Sequence, residues 1–184
     1  MAPVLVYIAL AVGVALLRGG RFPQELPFRY GWLVPLALAL QLAAFLFPGT
    51  VAARGLVLGS YVLLCYVLIA NHRYQSVRLI LLGVILNGVA IAANGGRIPV
   101  DVEAARSVGL EVASLEDGAD AKHVALTPET HLPFLGDVIP VPPPVGRVFS
   151  IGDIAILVGL FLLIQDLMER PIVLRLSPGA EVRF

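Results

Sequence analysis

The sequence predicts an all-α membrane protein: a bundle of five transmembrane helices with an ordered extracytoplasmic cap segment between helices four and five. Three observations predict it. The 184 residues are 58% hydrophobic with a mean hydropathy of +0.89. Only 14% are charged, against about a quarter in an average soluble domain. Those charges fall between apolar runs, not inside them, and one long polar stretch, 94–149, interrupts the pattern. The expected partition is residues 1–93 for helices one to four, 94–149 for the cap, 150–170 for helix five and 171–184 for a cytoplasmic tail.

The first apolar run, Pro3 to Leu17, ends at Arg18-Gly19-Gly20-Arg21. It has no positive n-region and no small-residue cleavage site, so it reads as a retained helix. Three arginines and Glu25 occupy the loop from Arg18 to Arg29. Tyr30 and Trp32 then open a second run to Phe47, as aromatics at a membrane interface do. Pro35 falls in the first turns, where a missing N–H costs little. Gln41, mid-run, is expected to bond a neighbouring helix.

Pro48-Gly49-Thr50 reads as a tight break, which makes helices two and three antiparallel neighbours. The third run, Gly55 to Ala70, carries Gly55-x-x-x-Gly59, a spacing that admits a second backbone. Cys65, the single cysteine, lies inside it and reads as a small apolar filler. The fourth run, Leu79 to Ala93, places Gly83, Asn87, Ala90 and Asn94 on one helix face. A small and polar stripe on an apolar helix should face protein.

Residues 94–149 hold eight acids against Arg97, Arg106, Lys122 and Arg147, a net charge of −4. Asp101 to Gly109 reads as a short helix, with Asp101 as N-cap and Gly109 just past its end. Thr127-Pro128-Glu129 reads as another helix start. Six prolines between Pro128 and Pro144 favour a stiff path. A loop this long is functional or a packed cap more often than a plain connector. The fifth run follows, Ile151 to Met168; Asp166 and Arg170 are spaced to pair on one face, and Pro171 stops the helix. No fold is assigned to the tail.

Arginine placement orients the chain. With the N-terminus outside, Arg18, Arg21, Arg29, Arg73, Arg78, Arg170, Arg175 and Arg183 become cytoplasmic. Formal net charge is zero, so no basic field points to nucleic acid. Expected partners are membrane lipid, a membrane-protein partner or a second copy. His123 and His131 lack a compact acid or cysteine set and read as surface or capping histidines, with His72 on the other side. No metal or cofactor is expected, since no phosphate loop, nucleophile elbow or haem motif occurs.

Two acids border the last helix. Ser150-x-x-Asp153 has capping-box spacing, which alone accounts for Asp153. Asp137 sits in Phe134-Leu-Gly-Asp-Val-Ile-Pro140, an apolar setting in which a carboxylate needs a partner. Arg97, Arg147, loop amides or Asp153 could each supply one. If the two acids adjoin, they would share a proton and could activate water. Asn87, Asn94, Arg97, His131 and Ser150 are the candidate ligand- or partner-binding residues.

Phe149-Ser-Ile-Gly-Asp153 and Leu135-Gly-Asp-Val-Ile139 resemble two segments of the lipoprotein signal peptidases, in which an aspartyl dyad is catalytic. That resemblance implies catalytic roles for Asp137 and Asp153, although Ser150 stands where that family has asparagine. Asn87 to Val100, Leu135 to Pro140 and Phe149 to Asp153 together resemble a bacterial membrane family, the domain of unknown function 5317. This second resemblance covers nearly the whole chain in the same order. It implies a helical bundle with an ordered outer segment in the bacterial inner membrane, and no reaction. The expected role is a small membrane module binding lipid or another membrane protein. The alternatives are an aspartyl hydrolase using Asp137 and Asp153, or an accessory subunit of a larger complex.

Overall fold

A computed structural model describes residues 2–24, 28–47, 50–116, 122–177 and 180–183. Each of the five apolar runs forms a helix: α1 (Ala2–Leu17), α2 (Leu33–Ala44), α3 (Val51–Ala70), α4 (Gln75–Ala93) and, after the cap, α7 (Ile151–Leu167). Among the described residues, only α3, with 20 residues, and α4, with 19, are long and apolar enough to cross a membrane. The other three have 16, 12 and 17 residues, short of the roughly 20 that a bilayer core asks for. Tyr30 to Trp32 and Phe45 to Phe47 were expected inside helix two; they form turns instead. Glu25 and the Pro48-Gly49 break lie outside the described residues.

The helices pack in a row, with α2 on α3, α3 on α4, α4 on α7, and α7 on α1. Small residues face inward. Ala44, Ala53, Ser60, Ser76 and Ala90 are buried, while Val62, Tyr66, Ile69, Leu82, Ile85 and Val158 are exposed. A water-soluble bundle reverses this arrangement. The tightest contact is α4 on α7. A Cβ on Gly159 would sit 2.9 Å from the Ile80 amide nitrogen, and one on Gly83 would sit 2.9 Å from that of Ile156. The expected stripe on α4 therefore does face protein. Gly55 and Gly59 face open space in this chain.

At the end away from the cap, polar clasps replace the expected Asp166–Arg170 pair. Arg170 gives its guanidinium to the carbonyls of Arg18 and Gly19, at 2.7 and 2.8 Å. Arg18 donates to the Gln165 side chain at 2.8 Å, and Gln165 donates to the Ala11 carbonyl at 2.8 Å. These bonds hold α1 against α7. Backbone carbonyls next to helix ends are unpaired acceptors, so they outcompete a solvated carboxylate.

The cap contains short elements the sequence did not announce. β1 (Ile98–Val100) pairs in parallel with β2 (His123–Ala125), and β3 (Ile139–Val141) pairs antiparallel with β4 (Arg147–Phe149). Between β1 and β2 lie α5 (Val102–Ser107) and α6 (Ala113–Glu116). Asp101 caps α5 as expected, accepting from the amides of Glu103 and Ala104. The expected helix at Thr127 is a turn: the Thr127 amide donates to the Thr130 hydroxyl, and the Thr130 amide returns to the Thr127 carbonyl. Val100, Ala105, Val112 and Leu115 form the cap's own core, while Ile98 packs with Ala44, Ala53, Val57 and Ile91 of the bundle. The cap is thus seated on α2 to α4. The tail forms a hairpin, β5 (Val173–Ser177) with β6 (Ala180–Arg183).

Candidate functional site

The site lies where the cap meets the bundle. The Ser150 capping box holds one side of it: the Ser150 hydroxyl accepts from the Asp153 amide at 2.9 Å, and Asp153 Oδ2 accepts from the Ser150 amide at 3.1 Å. This leaves Asp153 Oδ1, which accepts from Asn87 Nδ2 at 2.7 Å. Asn87 Oδ1 in turn accepts from the Ser150 hydroxyl at 2.9 Å. Asn87 and Ser150 are fully enclosed. A Cβ at Gly152 would overlap Asn87 Oδ1, so glycine there admits the amide. Asp153 is therefore both helix cap and site residue, held by α4 and α7 together.

Asp137 arrives from the cap. Its amide donates to the Pro99 carbonyl at 2.8 Å, and its carbonyl accepts from the Asp101 amide at 2.9 Å. These bonds add it to the edge of β1 and fix its depth. Its side chain is only 8% exposed and Oδ1 is buried without a hydrogen-bond partner. The carboxyl comes within hydrogen-bonding reach of Asp153. Burial, and after it the nearby Asp153 charge, push it up to about 7, with His123 opposing. Asp153 and His123 both act on this carboxyl, and Arg147 shares a cavity wall with it.

Both carboxyls line a cavity of about 160 Å³ together with Gln41, Tyr61, Asn87, Lys122 and His123. Tyr61 reaches the Asn87 amide. Lys122 donates to Gln41 Oε1 at 2.9 Å, so Gln41 meets the cap and not a neighbouring helix. Asp137 and His123 also wall a second cavity of about 200 Å³ that reaches exposed Glu111 and Arg147. His123, expected at the surface, is a site residue.

Of the other candidates, Asn94 grips the backbone of His131. Its Nδ2 donates to the His131 carbonyl at 2.8 Å, and its Oδ1 accepts from the His131 amide at 3.0 Å. The His131 residue itself is exposed. Asn94, Arg97 and His131 do not line the acid cavity. Sequence reasoning missed Tyr61 and Lys122, and it gave Gln41 the wrong partner. Tyr61 sits four residues before Cys65 in an unbroken apolar run, where its hydroxyl was the one available signal.

The family of unknown function DUF5317 matches residues 25–165. The chain belongs to the DUF5317 family. A relative named only "Uncharacterized protein", from Thermotoga maritima, is 35% identical over 105 residues, 56% of this chain and 58% of its own length. The alignment thus spans little more than half of that relative. No solved structure matches. The likeness of this DUF5317 chain to lipoprotein signal peptidases finds no support in these matches, and the acid pair stands on its geometry alone.

Proposed function

We propose that this chain is a multi-pass membrane protein whose cap closes an aspartyl acid–base site over the end of the bundle. The observation that carries this reading is the meeting of Asp137 and Asp153 in one polar cavity. Two adjoining carboxyls that share a proton supply an acid and a base from identical groups. The favoured chemistry is hydrolysis of an amide or ester. Asp153 takes a proton from a water molecule as its oxygen attacks the carbonyl carbon. Asp137 gives its proton to the carbonyl oxygen. The tetrahedral intermediate then collapses: one hydroxyl returns its proton to Asp137 as C=O re-forms, the C–N or C–O bond breaks, and the proton held by Asp153 passes to the leaving nitrogen or oxygen. Lys122 and His123 add positive or donating groups beside the developing oxyanion. Asn87 orients Asp153.

All five apolar helices lie in the membrane on this reading, the three shorter ones near its rims, with the cap outside. The inward small residues and outward large ones support it. The test incubates native membrane extract with purified wild-type protein, Asp137→Asn and Asp153→Asn in mild detergent, and compares the released peptides and acids. Wild type should release a product that both variants lose, and release should fall above about pH 7 as Asp137 gives up its proton. Equal release from all three overturns the hydrolase. The exposed aliphatic faces favour a second reading, a non-catalytic module that binds lipid or another membrane protein.

A further inference from the structure

Beneath the acid cavity a second, apolar space runs along the bundle. It measures about 290 Å³ and is walled by Leu64, Val67, Ile80, Val84 and Ile156. At one end it shares Gln41 and Tyr61 with the acid cavity. At the other it shares Val34, Val67 and Leu68 with an aromatic-rimmed cavity of about 650 Å³ that includes Phe28 and Trp32. The three spaces thus adjoin one another in a row between α2 and α7, over α3 and α4.

We propose that this cleft holds one acyl chain of a membrane phospholipid, with the chain's head end beside the acid pair. Along α3 the apolar stretch from Tyr61 to Asn71 spans ten residues, about 15 Å at 1.5 Å per residue. That is half of a hydrocarbon core roughly 30 Å thick, the depth of one leaflet. Left empty, the walls would forfeit their dispersion contacts. Water there would find only Gln41 and Tyr61 as partners on the shared walls. The narrow part, about 290 Å³ between aliphatic side chains, suits a flexible hydrocarbon chain and not a rigid helix about 10 Å across.

The head-end placement rests on the acid-site reading; chain binding does not. The full chain is placed in lipid nanodiscs containing phosphatidylglycerol with a photoreactive diazirine on one acyl chain, and the labelled residues are mapped by mass spectrometry. Label should concentrate on Leu64, Val84 and Ile156 over Val62, Tyr66 and Ile69, which face outward on α3. Leu64→Trp and, separately, Val84→Trp should abolish the inward label and leave the outward label intact. Asp137→Asn should keep both. Label confined to the outward residues, or inward label unchanged in a folded tryptophan variant, overturns the proposal. So does a cleft occupied by peptide from a second copy. Inward label without turnover in the extract assay leaves the lipid cleft standing and removes the hydrolase.

Discussion

Asp137 carries a large electrostatic consequence at the cap. Its carboxyl is held protonated to about pH 7 by burial and by Asp153, against an ordinary value of 3.8. The folded state therefore binds a proton that the unfolded state has released between those values. Stability from this group is complete below about pH 4 and is lost as pH rises through about 7. The ceiling on the loss is about 4 kcal/mol, at 1.36 kcal/mol per pH unit. Asp137→Asn removes the titration, so thermal unfolding in detergent should depend less on pH between 4 and 8 than in wild type. Equal dependence in both proteins would show that Asp137 is not the buried acid. Of this site, the two acids and the Ser150 cap were legible in the sequence, because a capping box and an acid in an apolar string are local signals. Tyr61, Lys122 and His123 were not. They come from α3 and from the start of β2 with the residue before it, and no local spacing unites them with Asp137.

At the scale of elements, the five helices were legible because each apolar run is longer than any core strand. Their ends were less so. Tyr30 to Gly31 and Phe45 to Phe47 share the composition of α2, yet turn, since composition does not record where backbone bonds stop. The three-residue strands of the cap are too short to show a period of two. The tail hairpin did leave a signal, Ser177-Pro-Gly-Ala180, a turn dipeptide between two short runs. Glycine spacing gave α4 its protein-facing side, but only the structure distinguishes working glycines from idle ones. Gly159 lets α7 approach Ile80 and the Ser76 carbonyl, whereas Gly55 faces open space. Gly159→Ala should therefore cost about 1–3 kcal/mol through overpacking. Gly55→Ala should be neutral or slightly stabilising, since alanine is the better helix former by about 1 kcal/mol. Chemical or thermal unfolding of both variants in one detergent checks the contrast, and equal losses would place Gly55 at an interface between copies.

At the scale of the whole molecule, one feature of topology decides how the site can be used. α3 and α4 are long enough to cross, so residues 71–74 and the cap lie on opposite sides of a bilayer if both helices span it. The acid site then opens to the cap's side, and we expect the arginines of the short loops to hold the opposite side in the cytoplasm. On the proposed reading a substrate arrives by lateral entry between α2 and α7 or from the outer aqueous phase. The single cysteine makes this directly measurable. In a Cys65→Ser background, Glu111→Cys and Arg147→Cys sit on exposed cap positions, and Arg73→Cys sits on the exposed turn between α3 and α4. A membrane-impermeant maleimide added to intact spheroplasts should label the two cap cysteines and spare the third until the membrane is broken. Labelling of Arg73→Cys in intact spheroplasts, with the cap protected, would invert the protein and put the acid pair to work on cytosolic substrates.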